Sequence, residues 1–393
     1  MPMSSVRRAV QFGAGNIGRG FLGQLLFEGG YQTTFVDADP ALVGLLNARG
    51  GYPLRLTGSA GVEDLAISRL RALDARDSTA VTQAIVEADL ISLAVGARAL
   101  PSVAPALAAG LNARAQAQRG PLSILLCENQ WHTATVVREL LLPHLAPEAA
   151  SGFDRSVGLV EAVIGRMVPV PTEALKAEDP LLIVAEPYKE LPVARAALRG
   201  PVPKLPGLVL AERFEAYEAR KLFLHNMGHA ALAYLGYERG HEYLWQCAED
   251  AAVRQACALA MADVCRALAL EYGFGPGLLS AFAEDLMRRF ANRALADTVA
   301  RVAADPLRKL RAHDRLVGAA SLCLSHGIPS EALAQVTAAA FRYDAASDPG
   351  AVSLQETRRR LGDALALAEI CGLAPDGRLA ALILSRLDRD RPS

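Results

Sequence analysis

The 393-residue sequence predicts an α/β fold in two parts: a parallel-sheet domain over residues 1–200 and an all-helical domain over 201–393. Three observations carry this reading. Short apolar strands alternate with helical stretches through the first half, which implies a parallel sheet. A glycine-rich turn joins the first strand to the first helix. After about residue 210 the apolar residues keep helical spacing nearly throughout, in a background rich in Ala and Leu. The length also suits two domains of ordinary size.

The elements follow in order. Val6 to Phe12 reads as a strand, and Gly13 to Gly20 is the turn after it. Phe21, Leu22, Leu25 and Leu26 then fall at helical spacing, and the Gly29-Gly30 pair ends that helix. Tyr31 to Val36, rich in Thr, Phe and Val, is a second strand closed by Asp37. Further strands run from Leu90 to Val95, ending at Gly96, and from Ser123 to Leu126, ending at Cys127-Glu128-Asn129. Between Val157 and Val209 prolines become frequent and short strand-like pieces such as Leu181 to Ala185 appear. That texture marks the far edge of the first domain and its link to the second.

Composition excludes several classes. Hydrophobic residues make up 52% and charged residues 21%, so a large core is available and disorder is not indicated. A formal net charge of −1, with no basic cluster, speaks against a nucleic-acid partner. No apolar run approaches the ~18 residues of a membrane span. Met1 to Arg8 lacks the apolar stretch of a signal peptide, so a cytoplasmic protein is expected. Cys127, Cys247, Cys257, Cys265, Cys323 and Cys371 are scattered without a C-x-x-C pair, so neither a zinc site nor a disulfide framework is expected. Nothing in the sequence fixes an oligomeric state.

Gly13-x-Gly15-x-x-Gly18 has the strand before it and the helix after it that a dinucleotide fingerprint requires. The N-terminal domain is therefore Rossmann-like. Gly13 permits a tight turn, Gly15 lets the backbone approach a pyrophosphate, and Gly18 allows close helix–sheet packing. Ala14, Asn16 and Ile17 complete the turn, and its helix N-terminus favours phosphate. Asp37 would accept hydrogen bonds from ribose hydroxyls and repel a 2′-phosphate, which selects NAD over NADP; Asp39 adds to that bias. Val95 and Gly96, past the carboxyl end of a strand, are further cofactor-binding candidates.

In the second part, Lys221, Asn226 and His229 fall on one side of a helix at ~100° per residue, with Asn226 ~140° and His229 ~80° from Lys221. Such a trio can move a proton and hold a developing alkoxide. Leu222, Phe223 and Leu224 between them suggest a buried helix. His225 also lies on the polar side and is read as incidental. Tyr217 and Lys221 match the Y-x-x-x-K spacing of short-chain dehydrogenases, but lie some 200 residues past the glycine turn, so that match is read as coincidence.

Together, Gly13 to Gly20, Cys127-Glu128-Asn129, the Lys221/Asn226/His229 element and Asp305-Pro306-Leu307-Arg308-Lys309-Leu310 resemble the polyol-specific long-chain dehydrogenases, the mannitol dehydrogenase family. The likeness runs from about Val10 to about residue 345. It implies a metal-independent oxidoreductase moving a hydride between NAD(H) and a polyol or polyol phosphate, with mannitol 1-phosphate and fructose 6-phosphate as the expected pair. It further implies that Lys221 is the general acid/base, that Asn226 and Asn129 hold the reacting oxygen, and that His229 orients and polarises it. Arg301, Arg308 and Lys309 become substrate contacts. One departure stands out: the family often has an aspartate where this chain has Gly165, within Ile164-Gly165-Arg166-Met167-Val168-Pro169. An unphosphorylated polyol or a hexuronate-type sugar acid therefore stays open as substrate. So does a non-catalytic NAD-binding regulatory protein.

Overall fold

The computed structural model describes residues 6–58 and 61–389. Residues 1–5, the start of the N-terminal stretch weighed above, lie outside the described residues. The chain divides into two compact units, Met1–Phe214 and Glu215–Ser393.

In the first unit, β1 (Arg7–Phe12) pairs in parallel with β2 (Tyr31–Asp37) on one side. A small hairpin, β3 (Tyr52–Gly58) and β4 (Gly61–Ile67), precedes β5 (Leu70–Asp74), which extends the sheet beyond β2. On the other side of β1 lie β6 (Leu90–Leu93), β7 (Leu122–Leu126) and β8 (Val157–Glu161). Among the described residues the sheet order is β5-β2-β1-β6-β7-β8, all parallel. Counted by strands of this sheet alone, that is 3-2-1-4-5-6, the doubly wound dinucleotide order.

Both faces of the sheet are covered, which is why its central strands are continuous apolar runs rather than alternating ones. Val10, Phe12, Ile91, Leu93, Ile124 and Leu126 pack on one side with Ile85, Leu107 and Leu111. Ala9, Leu90, Leu125 and Val160 pack on the other with Phe21, Leu22, Leu25 and Leu26. The proline-rich segment supplies β9 (Ile183–Ala185), which joins β3, and the parallel pair β10 (Leu191–Ala194) and β11 (Leu208–Ala211).

Two boundaries differ from the sequence reading for physical reasons. The first helix is already formed at Asn16 and Ile17 and passes into a π-helical segment over Gly18–Leu22, with the Gly23 N–H donating to Gly18 O, before continuing as an α-helix over Gly23–Glu28. A side chain at Gly18 would collide with Gly13 O, so only glycine lets the helix start this close to the turn. The strand expected to reach Val95 stops at Leu93. The Val95 and Gly96 N–H groups donate instead to the Glu128 carboxylate, at 2.8 and 3.2 Å.

The second unit is helical, apart from an isolated bridge between Tyr243 and Thr298. Its centre is the helix Met227–Tyr237, buried on every side through Ala230, Ala231, Leu232, Ala233 and Tyr234. A helix apolar all round belongs in a core. The helices Ala251–Tyr272, Val299–Ala303 and Glu331–Arg342 pack around it. No helix among the described residues is long and apolar enough to cross a membrane.

Candidate active site

In the first unit the candidate site is the glycine turn at the carboxyl ends of β1 and β6, where the strand order reverses. Gly13 has φ +89°, and a Cβ there would run into Ala94 O. Gly15 is exposed, and nothing lies within 4 Å of where its Cβ would be. The turn thus leaves open space over bare backbone, the shape a pyrophosphate needs. Buried Gln11 holds the turn from below, donating to Phe12 O and Gly13 O at 2.6 and 3.1 Å. Arg19, also buried, donates to Ala14 O at 2.6 Å and Leu181 O at 2.8 Å. At the end of β2, Asp37 accepts from the N–H groups of Ala14 at 2.6 Å and Asp39 at 2.9 Å. A carboxylate has about four acceptor positions, so it can still receive ribose hydroxyls.

Asp39 caps the next helix through the N–H groups of Ala41 and Leu42. Asn16 and Ile17 are half-buried in the turn, the former 3.4 Å from Pro169 O. Glu128 went unnoticed in the sequence as a site residue. It occupies the Val95 and Gly96 amides, and burial raises its pKa against those two hydrogen bonds. Asn129 follows it, exposed beyond β7.

Gly165 sits against Tyr188: a Cβ would lie 2.9 Å from the ring's Cε1. The tyrosine ring therefore fills the space that a side chain at 165 would use. Arg166, buried, donates to Tyr188 O, Gly20 O and Gln24 Oε1 at 2.6 to 2.9 Å, fixing this segment to the first helix.

The second unit carries a cluster of its own. Arg220–Asn226 is a π-helical segment, with the Met227 N–H donating five residues back to Leu222 O. In such a wider turn residues five apart lie nearer one another around the axis, so Lys221 and Asn226 come onto one face instead of lying ~140° apart as on an α-helix. Burial lowers the Lys221 pKa to about 8; the Arg315 charge pushes the same way and Glu218 opposes.

His229 stacks on Phe290, centroids 5.0 Å apart and planes at 11°. Its Nε2 is 3.2 Å from Asp297 Oδ2. Burial lowers its pKa despite that carboxylate. Arg301 grips Asp297 with Nε and Nη2, both at 2.6 Å. Burial alone would raise Asp297, but hydrogen bonds from His229 and Arg301 outweigh it and bring the carboxyl to about 2.

Lys309 is buried, donates to Ala304 O, and is lowered to about 7 by burial together with Arg315 and Arg308. Arg308 is partly exposed and pairs with Asp305 at 2.9 Å and Asp314 at 3.8 Å. His225 is buried with an unbonded Nδ1 beside His229 and Phe290. Tyr217 packs under Arg220. Among the described residues no group of three His, Cys, Asp or Glu side chains is placed to hold a metal ion.

Sequence reading missed Asp297 and Arg315. Only Arg315's position after Asp305–Leu310 hinted at either.

A doubly wound sheet carrying this glycine cradle and a terminal aspartate defines a nicotinamide-dinucleotide-binding class of protein. The mannitol dehydrogenase Rossmann domain family matches residues 7–207, and the mannitol dehydrogenase C-terminal domain family matches residues 213–368. The chain belongs to the mannitol dehydrogenase family. A mannitol-1-phosphate 5-dehydrogenase of Brevibacillus brevis is 37% identical over 354 residues, covering 90% of each chain. Another, of Bacillus licheniformis, is 36% identical over 380 residues, covering 96% of this chain and 99% of the relative. Among solved structures, a ternary complex of Pseudomonas fluorescens mannitol 2-dehydrogenase with NAD and D-mannitol shares the fold at TM-score 0.76 and 18% identity. It covers 98% of this chain and 92% of that one. A substrate-free D-sorbitol dehydrogenase does so at TM-score 0.80 and 17% identity, over 98% and 95%.

Proposed function

We infer that this chain is an NAD-dependent oxidoreductase that interconverts mannitol 1-phosphate and fructose 6-phosphate. The observation that carries the chemistry is Lys221, lowered to about 8 on the same turn as Asn226. The substrate reading draws on relatives named for that activity across nearly their whole length. Gly13, Gly15, Gly18 and Asp37 would hold NAD, which, when bound, supplies the hydride acceptor. Lys221, as the neutral amine, takes the hydroxyl proton in oxidation and returns it in reduction. The Asn226 amide donates to the reacting oxygen as negative charge builds there. His229 orients the polyol. Asn129 takes the oxygen-holding role that the family resemblance assigns it, and Lys309 supplies a buried cation or donor for the substrate.

A cytoplasmic location is part of this reading: all six cysteines are buried and unbridged, which suits a reducing compartment.

A second reading, an unphosphorylated polyol or sugar acid, draws on Arg301 and Arg308. Both are already matched with protein carboxylates, which competes with phosphate binding. The deciding experiment follows NADH absorbance with phosphorylated and free hexitols side by side. Turnover confined to the free hexitols would overturn the phosphate assignment, and no turnover with either would overturn the enzyme assignment.

A further inference from the structure

We propose that Asp297 is a positioning residue that fixes His229 in the tautomer protonated on Nε2, so that His229 meets the substrate with Nδ1 as a hydrogen-bond acceptor. This rests on the reading above, in which His229 orients the polyol.

Two contacts define the ring's orientation. Phe290 stacks flat against it at 5.0 Å and sets its plane. Asp297 Oδ2 lies 3.2 Å from Nε2 and sets its rotation within that plane. A carboxylate only accepts, so the hydrogen of a neutral imidazole resides on Nε2, an assignment made from the partner. The Arg301 fork, two charge-assisted bonds both at 2.6 Å, keeps Asp297 an anion. Nδ1 is then the remaining nitrogen, and it bears a lone pair. Such an atom accepts from a hydroxyl; it cannot donate to a ketone oxygen. His229 therefore positions the polyol by one of its hydroxyls, and stabilising the developing alkoxide falls to Asn226.

Asp297 is not needed to hold its own backbone. The Leu244 N–H donates to Asp297 O at 2.9 Å, and the following helix is capped by Thr298, whose hydroxyl accepts from the Arg301 N–H. The Arg301 side chain is about half exposed, so water screens the pair and stability alone does not account for it. The carboxylate's placement between a stacked imidazole and an arginine, 8% exposed, points to orientation instead.

The test is the ¹⁵N–¹H spectrum of histidine-labelled protein, with His229 assigned by its loss in His229→Gln. The expected result is a neutral His229 protonated on Nε2 at neutral pH. A ring protonated on Nδ1, or an imidazolium, overturns the proposal without bearing on which polyol is turned over. Asp297→Asn can turn an amide N–H toward the ring and should shift the tautomer toward Nδ1–H. With a polyol that the wild type oxidises, that variant should lose at least ~10-fold in kcat/KM while its Kd for NADH stays unchanged. The double variant with His229→Gln should then be little worse than His229→Gln alone. Fully additive losses, or wild-type kcat and KM in Asp297→Asn, overturn the positioning role. Should Asp297→Asn fail to fold, the wild-type spectrum alone decides the tautomer.

Discussion

The Asp37 carboxylate accepts a hydrogen bond from the Ala14 N–H at 2.6 Å, tying the end of β2 to the centre of the glycine turn. The same carboxylate would meet the adenosine ribose, so one side chain shapes the cradle and, as proposed, would read the cofactor. Asp37→Ser removes the charge that repels a 2′-phosphate and weakens the tie. Loss of a charged hydrogen bond costs about 1.5–3 kcal/mol, so kcat/KM with NAD should fall roughly 10- to 100-fold. The ratio between NAD and NADP should narrow accordingly. An unchanged ratio, or a wild type that prefers NADP, would remove Asp37 from the selectivity argument.

Lys221 gives a pH dependence with a definite sign. Its pKa is lowered to about 8, chiefly by burial. Alcohol oxidation uses the neutral amine and should rise with pH through about 8, while ketone reduction uses the ammonium and should fall over the same range. Lys221→Ala should cost roughly 10²–10⁴-fold in kcat, the usual scale of general acid–base catalysis, and leave NADH binding intact. Near-normal turnover with an unchanged pH profile would pass the role to another group, with Tyr217 the first to reconsider.

On the proposed role of Lys221, Arg315 should shift that profile. Its charge depresses both Lys221 and Lys309, second only to burial in each case. Arg315→Met should move the oxidation limb to higher pH, because the Lys221 ammonium loses a repulsive neighbour. A limb that stays in place or moves down would show that burial alone sets the lysine's basicity.

The parts of this architecture visible in the sequence are those written in local patterns. The β-turn-α-β unit announces itself by apolar runs and glycine spacing between Arg7 and Asp37, and Lys221, Asn226 and His229 by a single helix. Asp297 lies 68 residues from His229, and no period links them; only folding brings the carboxylate to the ring. The π-turn at Arg220–Asn226 escaped because amphipathic spacing assumes one pitch along a helix, whereas an inserted residue changes which side chains share a line. Glu128 was hidden by its neighbours: it reads as a strand end, and its contacts are the Val95 and Gly96 amides past the end of another strand. The hairpin of β3 and β4 escaped for a different reason. Much of β4 is exposed and polar, so it lacks the apolar signature of a buried strand.

Gly15 and Gly18 separate folding from cofactor binding. At Gly18 an added methyl would strike Gly13 O, a backbone atom that cannot swing aside, so Gly18→Ala should lower stability by about 1–3 kcal/mol, the ordinary cost of overpacking. At Gly15 nothing lies within 4 Å of the added carbon, and its φ is not in the left-handed region. Gly15→Ala should therefore keep the wild-type Tm, or raise it slightly through a stiffer unfolded chain. The methyl would nonetheless stand in the open space where a pyrophosphate approaches the backbone. NADH affinity should fall in both variants, but only Gly18→Ala should melt early. Thermal unfolding with and without NADH checks the pair: Gly15→Ala should lose most of the ligand-induced rise in Tm that the wild type shows. If Gly15→Ala binds NADH as tightly as the wild type, the pyrophosphate does not pass over Gly15, and the cradle must be drawn elsewhere on the turn.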